Sequence, residues 1–154
     1  VIEMDSGFRR NDRMVMVVIP AKAGIHYNNL SITMSPKKIL LVEDDLFLSS
    51  LLKNRLQREG GFEVSLARSG DEALALSESF QPDLIMLDII LPGKSGFEVL
   101  EEMRARPGNK VPVIIISNLG QTADMERAQA LGIKDYFVKA KTSIDELIEK
   151  IKAM

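Results

Sequence analysis

Five polar residues that could carry chemistry lie at the ends of short apolar runs in this chain. Glu43 and Asp44 follow KILLV, Asp88 follows LIML, Ser117 follows VIII, and Lys139 follows YFV. In an open α/β sheet the carboxyl ends of parallel strands share one edge, and ligands bind in the crevice there. These runs therefore predict one crevice that holds three carboxylates, a hydroxyl and an ammonium group.

The chemistry of this set indicates a magnesium-assisted phosphoryl site. Three carboxylates within a few ångströms repel one another, so a proton or a cation must neutralise them. Oxygen ligands suit Mg²⁺, which binds one or two carboxylates and leaves room for a phosphoryl oxygen. Lys139 then offers a point charge, and Ser117 a hydroxyl donor, to the same phosphoryl group.

Each of these residues taken alone has an ordinary explanation. Asp88 could be a solvated carboxylate at a strand end, and Glu43, Asp44 and Asp45 could be loop or helix-capping acids, since Asp favours helix starts. We assign that capping role to Asp45. The coincidence of all the polar residues at matching strand ends favours a phosphoryl-transfer site.

The segments between these residues predict an alternating α/β fold. The runs 39–42, 84–87 and 113–116 are continuously apolar, as in strands covered on both faces. Phe62, Val64 and Leu66 alternate with polar residues and indicate a strand nearer an edge, and 136–138 forms the fifth strand. Ser-x-x-Glu capping boxes begin helices at Ser69, Ser95 and Ser143. We predict a doubly wound (βα)5 flavodoxin-like three-layer sandwich with parallel strand order 2-1-3-4-5.

From about Lys37 to Ile151 the chain closely resembles the receiver domains of two-component response regulators. The resemblance is carried, in the family's order, by LLVEDD, LIMLDIILPGKSG, VIIISN and DYFVKA. The resemblance implies that Glu43 and Asp44 are the metal-binding acidic pair and that Asp88 is the phosphate acceptor. It also implies that Ser117 is the switch hydroxyl, that Lys139 contacts the phosphoryl group and that Tyr136 is the aromatic switch position. It also implies that Mg²⁺ is held by Glu43, Asp44, Asp88 and the carbonyl of Ile90.

Three positions modify the receiver interpretation. Ile90 and Asn118 border the path by which water would attack the acyl phosphate, and family members often carry Ala or Gly after the switch hydroxyl. Ala140 follows Lys139 where the family usually has proline. A cis peptide at a non-proline residue costs roughly 2.5–4 kcal/mol, so we expect a trans Lys139–Ala140 bond with the ammonium still near Asp88.

The length, net charge and lack of cysteine limit which partners and which cell compartment the chain predicts. With 154 residues and a net charge of −2, the chain predicts neither direct nucleic-acid nor membrane binding. The absence of cysteine is compatible with the cytoplasm that we predict. We predict a disordered or spurious extension over residues 1–34 and a receiver domain over 35–154. A short apolar stretch at 14–19 is a poor export signal, and His26 is not expected to be a relay histidine.

The sequence therefore predicts a stand-alone receiver rather than a conventional enzyme. It would accept a phosphoryl group on Asp88 from a sensor histidine kinase or a phosphotransfer protein, and would promote only its own phosphorylation and dephosphorylation. Phosphorylation would switch the face built from the fourth helix, fifth strand and fifth helix, which binds a downstream protein. The alternatives are a phosphorylation-independent pseudo-receiver and a Mg²⁺-dependent aspartyl-phosphate phosphatase.

Overall fold

The computed structural model describes Met14–Val15 and residues 33–154. The chain divides into two units between Pro36 and Lys37. In the first unit, Met14–Val15 (β1) and Thr33–Met34 (β2) pair as antiparallel strands of two residues each. The predictions of a disordered or spurious extension, of a poor export signal and of an inactive His26 fall largely on residues outside the described ones.

The second unit, Lys37–Met154, alternates strands and helices along its length. In chain order they are β3 Lys38–Val42, α1 Leu46–Gly60, β4 Glu63–Ala67, α2 Gly70–Ser79, β5 Leu84–Leu87, α3 Gly96–Ala105, β6 Val113–Ser117, α4 Thr122–Ala130, β7 Asp135–Val138 and α5 Ile144–Lys152. The strands form one parallel sheet in the order β4-β3-β5-β6-β7. Counted within this unit, that is the predicted order 2-1-3-4-5, so the predicted fold is confirmed.

Two apolar layers cover the two faces of the sheet, which explains the continuously apolar strands. Alternate residues along a strand point to opposite faces. On one face, residues such as Leu40 and Ile115 pack against α2, α3 and α4, and on the other, residues such as Leu41 and Ile114 pack against α1 and α5. The central strands therefore bury both rows of side chains, and the polar residues that follow them remain at the carboxyl edge.

Three helices begin at the predicted serines, although only one forms the full reciprocal capping box. Ser95 accepts from the Glu98 N–H while the Glu98 carboxylate accepts from the Ser95 N–H. At α2, the Glu72 carboxylate instead accepts from the N–H of Arg68, one residue earlier. At α5, Ser143 caps the helix, and the Glu146 carboxylate pairs with Lys150 rather than with the backbone.

Within the part of the chain that the structure describes, no helix is both long enough and apolar enough to cross a membrane.

Candidate functional site

The carboxyl ends of β3 and β5 lie side by side and deliver the acidic residues to one place. Val42 and Leu87, the last residues of the two strands, are partners in the parallel register. The Asp88 N–H donates to the Val42 carbonyl at 3.0 Å, and the Glu43 N–H donates to the Ala67 carbonyl at 3.0 Å. The backbone that carries both carboxylates is therefore fixed by the sheet itself.

Glu43, Asp44 and Asp88 form an acidic cluster in which each offers a carboxylate oxygen within 4.8 Å of the others. Glu43 is 2% exposed and Asp88 is 4% exposed, whereas Asp44 is exposed to solvent. Oxygen-only ligands at this spacing, with one side open to water, suit a hard divalent cation such as Mg²⁺. Asp45 lies outside the cluster and caps α1 by accepting from the Leu48 N–H at 2.7 Å, as predicted.

Lys139 reaches two of the three acids. Its Nζ lies 2.5 Å from Asp88 Oδ2 and 2.7 Å from Glu43 Oε2, and its side chain is 15% exposed. The described residues contain no cis peptide bond, so the Lys139–Ala140 bond is trans as predicted. Alanine in place of the family's proline therefore leaves the ammonium group at the acidic cluster.

Burial and ion pairing oppose each other in this cluster. Burial raises the pKa of the Glu43 carboxyl above its usual range, although the hydrogen bond and charge of Lys139 oppose this change. Burial alone would lower the pKa of Lys139, but its hydrogen bonds to Asp88 and Glu43 outweigh burial and raise it. Lys139 is thus firmly charged and partly neutralises the buried acids.

The backbone around Asp88 is held by the loop and helix that follow it. The Ile90 N–H donates to Asp88 Oδ1 at 3.0 Å, and the Gly96 N–H donates to the Ile89 carbonyl at 2.8 Å. A Cβ on Gly96 would lie 2.2 Å from the Asp88 carbonyl oxygen, so only glycine permits this approach. Ile90 thus contacts Asp88 through its N–H, and its predicted role as a carbonyl ligand remains a prediction.

The two residues assigned to switching are linked through the backbone of one residue, Leu119. Ser117 is fully buried at the end of β6, and its Oγ accepts from the Leu119 N–H at 3.4 Å. The Tyr136 hydroxyl donates to the Leu119 carbonyl at 2.8 Å. Burial, with the nearby charges of Asp124 and Asp88, raises the pKa of Tyr136, so the phenol remains a donor at neutral pH.

Sequence reasoning missed two participants in this site. Leu119 is apolar, and its contribution is a backbone N–H and carbonyl, so its side chain gave no signal. Gly96 did carry a signal, since a glycine at the first position of a helix often marks a close backbone approach. The large apolar side chains that the described residues expose are Leu46, Phe47 and Ile90, and each follows an acid of the cluster within three positions.

Residues 39–152 match the family model of the response regulator receiver domain. Among curated proteins, the chain is 42% identical over 118 residues to the phosphate regulon transcriptional regulatory protein PhoB of Rhizobium meliloti (strain 1021). It is 38% identical over 117 residues to the regulator of RpoS of Escherichia coli (strain K12). The matches cover 76% of this chain in both cases, but 51% and 34% of the two relatives. The chain thus spans about half of the first relative and a third of the second.

Solved structures support the same assignment. A CheY-like response regulator receiver domain protein from Methanospirillum hungatei JF-1 has a TM-score of 0.69 and 32% identity, covering 77% of this chain and 93% of that one. The Mn²⁺-bound form of the response regulator Rcp1 has a TM-score of 0.68 and 30% identity, covering 77% and 94%. With the family model, the fold and the acidic crevice in agreement, this chain belongs to the family of response regulator receiver domains.

Proposed function

We propose that Asp88 is the phosphoryl acceptor of this receiver. The observation that carries the proposal is the placement of one buried carboxylate against both an ammonium group and two further acids. An Asp88 carboxylate oxygen attacks phosphorus in line on a phosphohistidine of a sensor histidine kinase or phosphotransfer protein. A P–O bond forms as the P–N bond breaks, and the imidazole leaves with its electron pair. Such transfer depends mostly on positioning and electrostatics.

The acidic cluster supports a magnesium site for this reaction. Glu43, Asp44 and Asp88 would hold the ion, together with the carbonyl of Ile90. When bound, Mg²⁺ supplies positive charge to the acids and to the phosphoryl oxygens. Lys139 gives a second positive charge, and its trans peptide places Nζ beside the attacking carboxylate. The Rcp1 structure, which is Mn²⁺-bound, is consistent with divalent-ion binding in a similar fold.

The output of this receiver is a change of surface rather than a catalysed reaction on a separate substrate. Phosphorylation would draw the Ser117 hydroxyl toward the phosphoryl group, which removes the acceptor of the Leu119 N–H. Tyr136, whose hydroxyl donates to the carbonyl of the same residue, would then move as well. Both changes shift the population of the face formed by α4, β7 and α5, which binds a downstream protein.

We further propose the setting in which the receiver works. Residues 35–154 form the receiver domain, and residues 1–34 are an extension outside it. The receiver domain acts in the cytoplasm and itself binds neither nucleic acid nor a membrane directly. A phosphorylation-independent pseudo-receiver is less well supported, because the acids and Lys139 are all present. A phosphatase is also less well supported, because Ile90 offers no acid group.

Intact-mass spectrometry tests the proposal. The chain is incubated with acetyl phosphate and Mg²⁺, and we expect the mass of one phosphoryl group to be added. Chelation of Mg²⁺ should suppress the addition, and Asp88→Asn should remain folded and take up none. Undiminished labelling of Asp88→Asn would refute the assignment, and a wild type that takes up no phosphoryl group would favour the pseudo-receiver.

A further inference from the structure

Helix α4 is anchored to the rest of the domain by very little apolar surface. Of its nine residues only Ala128 is buried, whereas α5, of the same length, buries Leu147, Ile148 and Ile151. Its N-cap residue Gln121 makes no side-chain hydrogen bond to the helix. In globular proteins most helical stability comes from a packed apolar face, so α4 needs other contacts to keep its position.

Those contacts come from α3. The guanidinium carbon of Arg127 lies 4.2 Å from the centre of the Phe97 ring, and Arg127 Nη2 lies 2.7 Å from Glu101 Oε1. Both charged side chains are about half exposed, so their ion pair contributes little. Phe97 is 4% exposed, and a guanidinium stacked on a buried ring is the stronger contact.

The arginine of α3, Arg104, holds the C-terminal end of α4. Arg104 donates from Nε to the Leu131 carbonyl at 3.0 Å and from Nη2 to the Gly132 carbonyl at 3.2 Å. These carbonyls follow the last turn of α4, where helix ends leave acceptors without helical partners. Arg104 thus fixes the end of α4, while Arg127 is the side chain through which α4 itself contacts α3.

The start of α3 rests directly on the acceptor residue. Gly96 approaches the Asp88 carbonyl so closely that a Cβ there would lie 2.2 Å from it, and its N–H donates to Ile89. Phe97 is the next residue along α3. The Asp88–Ile89 backbone is thus connected through Gly96 and Phe97 to Arg127 of α4. This route does not pass through Ser117, Leu119 or Tyr136.

We propose that Arg127, with Phe97 and Glu101, forms a latch that sets the position of α4 and couples it to Asp88 through the first turn of α3. The coupling rests on the proposed phosphorylation of Asp88, whereas the latch is a property of the unphosphorylated protein. The closed latch keeps α4 on α3. Phosphorylation of Asp88 moves the first turn of α3, which carries Phe97, and so releases α4.

Hydrogen exchange of the unphosphorylated protein tests the latch. Amide exchange reports the free energy of local opening, and in Arg127→Ala we expect residues 122–130 to exchange about three- to tenfold faster, from the loss of the stack and the ion pair. Arg127→Lys keeps the charge but not the planar stack, so its α4 exchange rates should lie between those of the wild type and of Arg127→Ala. Arg55→Ala is the matched control, because Arg55 joins Glu59 of α1 to Asp145 in the first turn of α5. Equal α4 exchange in Arg127→Ala and Arg55→Ala would overturn the latch.

A phosphoryl mimic tests the coupling. With Mg²⁺ and beryllofluoride, the wild type and Tyr136→Phe should both exchange faster in α4, while Arg127→Ala, already open, should change little further. Loss of the response in Tyr136→Phe with retention in Arg127→Ala would overturn the coupling. If acetyl phosphate fails to label wild-type Asp88, the proposed function and the coupling both fall, whereas the exchange rates without the mimic still decide the latch.

Discussion

The two halves of the acidic crevice are built differently. On one side, β3 and β5 are buried on both faces, and backbone hydrogen bonds of the sheet hold Glu43 and Asp88 in place. On the other side, Ser117 is followed by a loop that leads to α4, a helix with one buried residue. The difference separates two tasks. The half built on β3 and β5, which we call the rigid half, would position the reacting groups of the proposed phosphoryl transfer. The weakly anchored half, which we call the loose half, could then change position.

The largest effect on the rigid half should come from removing its internal cation. Lys139→Met leaves two buried carboxylates without their ammonium partner, and breaking a buried ion pair in this way costs about 3–5 kcal/mol. The free energy of unfolding, measured in urea without Mg²⁺, should fall by this order. Lys141→Met, at an exposed neighbouring lysine, should change it little. A Lys139→Met protein as stable as the wild type would show that the pair does not hold the crevice together.

The same variant should respond to pH and to magnesium in a defined direction. The pKa of Glu43 is already raised by burial, and loss of Lys139 raises it further. When the pKa of a carboxyl is higher in the folded state than in the unfolded state, the folded protein becomes more stable as the pH falls through that pKa. The deficit of Lys139→Met should therefore be greatest at neutral pH and shrink in acid. Added Mg²⁺ should raise its melting temperature more than that of the wild type.

The next largest effect concerns the exposed acid of the cluster. Asp44→Asn should weaken Mg²⁺ binding by about tenfold or more, since even changes to groups that support metal ligands cost that much. Relief of repulsion could modestly raise stability without metal. Titration calorimetry measures the affinity, and Asp45→Asn is the control because Asn also caps helices. Unchanged affinity in Asp44→Asn would place the ion elsewhere.

A smaller effect, on the lifetime of the phosphorylated protein, is expected from Ile90 and Asn118, which border the path of water to Asp88. Ile90 is 54% exposed and cannot orient a nucleophile, and Asn118 beside Ser117 is larger than Ala or Gly. The phosphorylated protein should therefore be fairly long-lived. Ile90→Glu or Asn118→Ala should speed loss of the phosphoryl group by roughly tenfold or less, as followed by intact mass over time. If neither variant loses it faster, the steric explanation is wrong.

No effect at all is expected from deleting the segment that precedes the receiver domain. Deletion of Val1 to Thr33 should leave melting temperature, Mg²⁺ affinity and phosphorylation unchanged, because the sequence there has no periodic apolar face. The 154-residue chain, measured beside the shortened one, is the comparison. A large fall in melting temperature would show that the segment contributes to the receiver.

The rigid half was largely predictable from the sequence, and the loose half was not. Continuous apolar runs predict buried parallel strands, and the polar residue after each run predicts the crevice. The link between Ser117 and Tyr136 runs through backbone atoms of Leu119, which a side-chain pattern does not reveal. The weak anchoring of α4 likewise depends on which residues meet α3. Capping boxes were only partly predictable, because Glu72 and Glu146 found other partners.

Mapping of the phosphoryl group in wild-type protein tests the central claim most directly. After reaction with acetyl phosphate and Mg²⁺, borohydride reduces an aspartyl phosphate to homoserine, and tandem mass spectrometry locates the altered residue. We expect homoserine at position 88 and at no other acid, including Asp44, Asp45 and Asp83. Homoserine at a different position, or none in protein that carries the added mass, would contradict the assignment of Asp88 as the acceptor.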